Sequence, residues 1–166
     1  MEDMVRFRQL ALILPLIFAS AVSFASPSHW QYHEETDQMR GTKVVTAYVA
    51  SDNKVSFAFP YDGGSRARLV LRIKDQQVDL MLEIDRGQFV CSASGDDTVA
   101  MKFDSGPVVE AACSPPDDGS STTIFIEGDF GAQIQQSSHV VIEAEFFQEG
   151  TRQFTFTTSG LVGRNL

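Results

Sequence analysis

Hydrophobic and polar side chains alternate in short runs along most of the chain, and Gly, Pro, Asp, Asn and Ser separate the runs. This period of two is typical of antiparallel strands that bury one face and expose the other. The runs recur about every ten residues, which favours a sandwich or a small barrel. The predicted strands are residues 30–35, 44–50, 55–59, 69–74, 78–84, 88–92, 99–103, 108–113, 123–127, 140–147 and 153–158.

The register of a hairpin follows from the need to place the hydrophobic residues of both strands on one face. Around the turn at residues 74–77, this predicts the pairs Leu69–Leu82, Leu71–Leu80 and Ile73–Val78. The same register sets Arg72 opposite Asp79 on the solvent-facing side.

Two later hairpins are predicted in the same way. A loop centred on Gly150 pairs Phe146 with Phe154 and Ala144 with Phe156. It also turns Glu143 and Glu145 outward, beside Thr157 and Thr155. A loop over residues 104–108 predicts the pairs Val99–Cys113, Met101–Ala111 and Phe103–Val109.

One segment, residues 130–137, breaks the alternation. Phe130 and Ile134 are four residues apart, and Asp129 is a candidate N-cap. We therefore expect one or two helical turns that cover an open end of the sheet. The predicted fold is all-β: an antiparallel β-sandwich or small barrel of about 9–11 strands with one short helix.

The first 25 residues have the form of a secretory signal peptide. Two arginines precede an apolar run at residues 10–22, and small residues lead to Ala25. The run is too short to cross a bilayer core of about 30 Å comfortably. Cleavage after Ala25 is therefore expected, with an uncleaved anchor as the alternative. Residues 26–166 would then form a single β-rich domain in the periplasm or outside the cell, without a stable membrane anchor.

Composition and charge narrow the classes of partner. The chain carries 22 acidic and 13 basic residues, a net charge of −9. Residues 1–25 contain two of each, so their removal leaves the net charge unchanged. A face that binds phosphates needs a surplus of Lys and Arg, so nucleic acid and anionic lipid are not expected partners. The apolar share of 43% is typical of a globular rather than a disordered chain.

The two cysteines are both predicted to point toward the core. Cys91 shares a strand face with Phe89, and Cys113 shares one with Ala111. An oxidising compartment favours a disulfide between them. In a simple three-strand meander, however, the two Cα atoms would lie roughly 10 Å apart. A disulfide can join cysteines only when their Cα atoms are within about 7 Å of each other. A disulfide therefore requires Cys113 to leave the sheet or a different strand order; the alternative is two buried thiols.

The sequence contains no recognisable catalytic, nucleotide-binding or metal-binding motif. His29 and His33 would lie about 13 Å apart along a strand, too far for one metal ion. The segment at residues 63–65 is predicted to be a turn rather than a nucleophile. We therefore expect no enzymatic activity, no cofactor and no metal ion, with an enzyme site built from scattered loop residues as the alternative.

Acidic loops and two aromatic residues are the candidate contact surfaces. The pairs Asp96-Asp97 and Asp117-Asp118 lack the ligand spacing of a calcium loop. They lie in segments rich in Ser, Gly and Pro, where carboxylates are expected to be solvated. Trp30 and Tyr32 share one face of the first strand, where they either pack on the core or form a binding patch. The candidate binding residues are Asp96, Asp97, Asp117, Asp118, Trp30 and Tyr32.

Several core and turn residues occur with a characteristic spacing; they are Trp30, Asp37, Met39, Ala50, Ser51, Pro60, Leu69, Val70, Leu71, Arg72, Phe103, Asp104, Ile124, Phe125, Ile126, Phe154, Phe156, Gly160 and Leu161. Together they resemble a group of small exported β-sandwich proteins of Gram-negative bacteria. The group includes the periplasmic accessory proteins of type VI secretion (the TagO/VasI type), and the resemblance covers most of residues 29–162. It implies a non-enzymatic periplasmic protein with no ligand residues to carry over.

These features favour an exported, non-catalytic periplasmic binding or accessory protein that acts through protein–protein contacts. The alternative is an inhibitor or immunity protein against a cationic envelope hydrolase such as a lysozyme. In that case the negative charge would speed the encounter with a basic partner.

Overall fold

The computed structural model describes residues 29–163, which form one antiparallel sheet of nine strands and one short helix. The predicted signal peptide lies outside the described residues. The strands, named in chain order, are Gln31–Thr36 (β1), Lys43–Ala50 (β2), Ala67–Lys74 (β3), Gln77–Ile84 (β4), Thr98–Phe103 (β5), Val108–Ser114 (β6), Thr123–Ile126 (β7), His139–Phe146 (β8) and Gly150–Thr157 (β9).

The sheet bends at β6, where one strand serves two partners. The strand order is β1-β2-β3-β4-β7-β6-β5-β8-β9. Residues 108–112 of β6 pair with β5, whereas Cys113 and Ser114 pair with β7. A strand that changes partner in this way lets a sheet fold over itself. The two halves share one hydrophobic core, and the sheet is not closed into a barrel, so the all-β prediction is confirmed in its sandwich form.

Alternate side chains of strands β2 to β9 face this core, as the period of two predicts. The outer face of the first half is not uniformly polar, because Val70 and Met81 are also buried there. The Arg72 guanidinium lies 5.4 Å from the centre of the Phe125 ring, and that of Arg68 lies 6.0 Å from the Tyr48 ring. These long side chains lie along the apolar row and keep their charges in water.

The predicted β3–β4 register is confirmed at every pair. Leu69, Leu71 and Ile73 lie opposite Leu82, Leu80 and Val78. On the outer face, Arg72 Nη2 lies 2.7 Å from Asp79 Oδ2. The short turn between β3 and β4 allows few alternative registers, so matching the hydrophobic residues of the two strands is sufficient to select the observed one.

The predicted registers of the two later hairpins are wrong, although each side chain faces the expected side. Phe146 pairs with Gly150 and Phe154 pairs with Ile142, a shift of four residues. Met101 pairs with Val109, a shift of two. The β8–β9 turn is tighter than predicted, since the Glu149 N–H donates to the Phe146 carbonyl at 3.0 Å. Even shifts preserve the faces, so patterning alone could not detect them.

Because of the same register shift, the predicted cross-strand neighbours of the two β8 glutamates are wrong. Glu143 lies opposite Gln153, and Glu145 lies opposite Thr151, instead of the predicted threonines 157 and 155. The Gln153 side-chain amide donates to Glu143 Oε2 at 2.6 Å. Turn length, rather than the polar pattern, therefore decides the cross-strand partners of these carboxylates.

Residues 55–59 and 88–92 were predicted as strands, and both predictions are wrong. Each segment forms a single isolated bridge, Val55 with Ser65 and Phe89 with Phe146. The Phe89 N–H donates to the Ser121 carbonyl at 2.8 Å, and the Val90 N–H donates to the Glu145 carbonyl at 2.9 Å. Because successive donors serve two different segments, residues 88–92 join the two halves instead of extending one ladder.

The predicted helix is present at Gly131–Gln136, with Ile134 fully buried. Its N-cap is Phe130, without a side-chain hydrogen bond, so the predicted cap by Asp129 is wrong. The Phe130 ring stacks on Phe103 at a centroid distance of 6.1 Å. Tertiary packing of apolar side chains, rather than capping, therefore holds this short helix in place.

Candidate functional site

Four connections meet at one end of the sandwich, which we call the loop end. It comprises residues 51–66, 85–97, 115–122 and 147–149. Neighbouring strands are antiparallel throughout, so the connections that follow β2, β4, β6 and β8 all emerge at this end. Sandwich folds often carry their binding loops in this arrangement.

Hydrogen bonds tie these four connections into one surface, with residues 85–97 at its centre. The four bonds are Arg86 Nη1 to the Asp62 carbonyl at 2.8 Å, Phe89 N to the Ser121 carbonyl at 2.8 Å, Phe147 N to the Gln88 carbonyl at 2.9 Å and Ala58 N to Glu149 Oε1 at 2.8 Å. Each bond joins two different connections. The loop end is therefore held together as a unit, although it contains little regular secondary structure.

A disulfide anchors the central connection to the sheet. Cys91 and Cys113 are bonded, with their Cα atoms 6.1 Å apart. The long Cα separation expected for a three-strand meander does not arise, because residues 88–92 do not form a strand beside β5. Cys113 occupies the position at which β6 leaves β5 for β7. The disulfide prediction is confirmed by a strand order other than the meander.

Two phenylalanine side chains project from the loop end into solvent. Phe59 is 89% exposed and Phe147 is 58% exposed. The bond from Ala58 to Glu149 brings their two connections together. Phe57 and Phe89 are buried against Phe146, with ring centroids 4.9 Å and 4.6 Å from that of Phe146. Each exposed ring thus lies within two residues of a buried phenylalanine of this cluster.

The loop end also carries an excess of negative charge. Its four connections contain eight carboxylates and three cationic side chains, a net charge of −5. Arg66 and Arg86 donate to backbone carbonyl groups of the loop end rather than to its acids. Four carboxylates of the loop end are exposed and have no hydrogen-bond or ion-pair partner among the described residues; they are Asp62, Asp85, Asp96 and Asp117.

The four predicted aspartates all lie at the loop end, but they have different roles. Asp97 accepts a hydrogen bond from the Ser92 N–H at 2.6 Å, and Asp118 accepts one from the Ser120 N–H at 2.9 Å. Hydrogen bonds from the side chain and backbone of Ser92 lower the pKa of Asp97 below its ordinary value. This contact weakens when Asp97 is protonated, as pH falls through that lowered pKa. Asp97 and Asp118 therefore shape turns, whereas Asp96 and Asp117 are free to meet a partner.

Trp30 and Tyr32 lie at the start of the first strand and are not part of the four connections of the loop end. Trp30 is buried, and its indole N–H donates to the Thr158 carbonyl at 2.9 Å. Tyr32 is 48% exposed, and its hydroxyl accepts a hydrogen bond from the Val162 N–H at 2.8 Å. Trp30 therefore belongs to the core, while Tyr32 borders a groove near the C-terminal segment.

Replacing Trp30 with Phe is expected to lower the free energy of unfolding by about 1–3 kcal/mol, because the buried Thr158 carbonyl loses a donor. Urea denaturation measures this. The matched control is Tyr32→Phe, which removes an exposed bond and is expected to cost less than about 1 kcal/mol. Equal losses in the two variants would contradict the assignment of Trp30 to the core.

The remaining candidate chemistry is not assembled into a site. No group of three or more His, Cys, Asp or Glu side chains in residues 29–163 is placed to hold a metal ion. Ser65 is buried, and its hydroxyl accepts a hydrogen bond from the Arg86 N–H at 2.9 Å. It therefore serves to hold the connection between β2 and β3.

No family model, curated protein or solved structure matches the chain. No helix among residues 29–163 has the length and apolar character needed to cross a membrane. The likeness to type VI secretion accessory proteins stays a prediction.

The exposure of the two phenylalanines is not predicted by the sequence pattern. Phe59 was placed in a predicted strand that does not form, and Phe147 was placed at the end of one that stops a residue earlier. The available signals were Pro60, which cannot donate to a ladder, and the adjacent pair Phe146 and Phe147, of which a strand can bury only one on a given face.

Proposed function

We propose that this is an exported, non-catalytic periplasmic or secreted protein that binds a partner protein through its loop end. The observation that supports the proposal best is the pair of solvent-exposed rings, Phe59 and Phe147, on a hydrogen-bonded surface. Large aromatic side chains that remain exposed on a folded surface commonly mark protein interfaces.

The rigidity of the loop end supports binding over adventitious exposure. Loops that are ordered before binding lose less conformational entropy when a partner arrives. Here the four connections are bonded to one another, and the disulfide holds the central one. The two rings would act as apolar anchors, surrounded by polar groups that exclude water from the contact.

Export is supported by the leader-like first 25 residues and by the disulfide. Disulfides form and persist in the periplasm and outside the cell, whereas the cytosol keeps thiols reduced. Cell fractionation followed by N-terminal sequencing checks this part: the expected product begins near Ser26 in the periplasmic or secreted fraction.

The binding site is tested by affinity enrichment from the organism's own envelope extract, with quantitative mass spectrometry. The double variant Phe59→Ala/Phe147→Ala is expected to reduce recovery of the partner at least about tenfold, because two anchors are lost. The matched control is Met39→Ala/Val108→Ala, which removes exposed side chains at the opposite end and is expected to retain the partner. Full recovery by the first variant would contradict the proposal.

A second candidate function follows from the four free carboxylates of the loop end. They suit a cationic partner, and we propose an inhibitor or immunity protein against a basic envelope hydrolase such as a lysozyme as the alternative. Inhibition of cell-wall hydrolysis should weaken steeply with added salt and in Asp96→Asn/Asp117→Asn. Absence of inhibition and of any complex at low ionic strength would exclude this alternative for the lysozyme used.

A further inference from the structure

The two edge strands of the sheet, β1 and β9, differ in whether other parts of the chain hydrogen-bond to their outer backbone groups. Along β9, Asn53 donates to the Gln153 carbonyl at 2.9 Å and accepts from the Thr155 N–H at 2.9 Å. The Asp52 N–H donates to the Thr155 carbonyl at 2.7 Å. These contacts occupy backbone groups that an added strand would need, so the β9 edge is closed.

The β1 edge, by contrast, is open within the described part of the chain. All six residues of Gln31–Thr36 are exposed, and β1 pairs with β2 alone. Half of the backbone N–H and C=O groups of such an edge strand point away from its neighbour and can accept another strand. No other strand in residues 29–163 pairs with them.

A groove of about 580 Å³ lies beside β1 on the inner face of the sheet. Val45, Ala47 and Ile73 line it from the sheet, and Leu161 and Val162 line it from the C-terminal segment. Tyr32 and Glu34 point to the same side of β1, because they pair with Ala47 and Val45. A strand added to β1 would therefore place alternate side chains toward a groove that is mainly, but not wholly, apolar.

The two glutamates of β1 differ in their surroundings. Glu34, on the groove side, is paired with Lys43, whose Nζ lies 2.8 Å from Glu34 Oε1. Glu35, on the opposite face, is exposed and has no ion-pair or hydrogen-bond partner among the described residues. A partner strand would therefore meet mainly apolar surface and the Glu34–Lys43 ion pair on one face, and the unpaired carboxylate of Glu35 on the other.

We propose that β1 is a docking edge for an extended segment of a partner protein, with apolar side chains on its inner face and Lys or Arg on its outer face. Backbone hydrogen bonds to β1 would supply affinity, and the groove and Glu35 would select the alternating pattern. This surface is separate from the loop end, and the proposal does not depend on the function assigned there.

A second copy of this chain fits the β1 edge poorly. Hydrogen-bonded and non-hydrogen-bonded pairs alternate between antiparallel strands, so a two-fold axis must set a residue opposite its own copy. Centring on Glu34 opposes two carboxylates directly. Centring on His33 leaves the two copies of Glu34 as diagonal neighbours on one face. Like charges thus disfavour both central registers, whereas a basic strand is attracted.

The test uses three fluorescein-labelled octapeptides, (Lys-Val)4, (Lys-Ser)4 and (Glu-Val)4, titrated into the purified protein and followed by fluorescence anisotropy. Only (Lys-Val)4 is expected to bind, because it alone combines an apolar face with positive charge. Amide hydrogen exchange, read by NMR, is expected to slow at alternate residues of 31–36 when this peptide is bound.

The charge contribution is checked with Glu35→Lys, which is expected to weaken (Lys-Val)4 binding about fivefold at low ionic strength. The matched control is Glu145→Lys, an exposed glutamate on β8, with an expected change of less than about twofold. Three results would overturn the proposal: equal binding of (Lys-Ser)4, protection at residues 85–97 instead of 31–36, or a concentration-dependent dimer that protects β1 without peptide.

Discussion

Replacing Phe146 with alanine is expected to lower the free energy of unfolding by about 3–5 kcal/mol. The Phe146 ring is 1% exposed and contacts Phe57, Phe89 and Phe154, with centroid distances of 4.9, 4.6 and 5.9 Å. Its removal leaves a cavity between three large side chains that cannot collapse without moving two connections of the loop end. Urea denaturation, monitored by circular dichroism, measures the change.

The control for this prediction is the next residue, because Phe146 and Phe147 differ only in the face on which they lie. Phe147→Ala removes an exposed ring and is expected to change the free energy of unfolding by less than about 0.5 kcal/mol. If the two variants lost similar stability, Phe147 would be part of the core and its proposed role as a binding anchor would be untenable.

Breaking the disulfide is expected to cost about 3 kcal/mol of stability. Cys91 and Cys113 are separated by 22 residues, and cross-linking a loop of this size removes about that much conformational entropy from the unfolded chain. The comparison is between the oxidised protein and the same protein after reduction, both unfolded in urea. Reduction keeps both sulfur atoms in place, so the difference isolates the cross-link.

The double variant Cys91→Ala/Cys113→Ala serves as the control for that measurement. Cys113 is 1% exposed, so its truncation adds a packing loss to the loss of the cross-link. The variant is therefore expected to be less stable than the reduced protein. A difference below about 1 kcal/mol between oxidised and reduced protein would show that the cross-link contributes little, and the rigidity assigned to the loop end would then rest on hydrogen bonds alone.

The proposed binding surface could be predicted only in part. The acidic turns at Asp96 and Asp117 are evident from their Ser-, Gly- and Pro-rich surroundings, which exclude them from a core. Phe59 and Phe147 could not be found in the same way, because an apolar residue at the end of an alternating run has the pattern of a core residue. Its exposure depends on where the backbone turns, and hydrogen bonds between distant segments decide that.

The sequence by itself determined the all-β class, the short helix and the face on which each strand residue lies. The physical reason is that successive side chains of a strand point to opposite faces, so the period of two survives any even error in register. This is why Met101, Phe154 and Phe156 were correctly assigned to the core although their partners were not.

Only the tertiary structure decided the strand order, two of the hairpin registers, the route to the disulfide and the difference between the two sheet edges. These features depend on which distant segments satisfy each backbone donor and acceptor. Asn53 closes the β9 edge from a hundred residues away along the chain, as its bond to Gln153 shows. No local pattern of polar and apolar residues contains that information, because the contact exists only when the sheet has folded over.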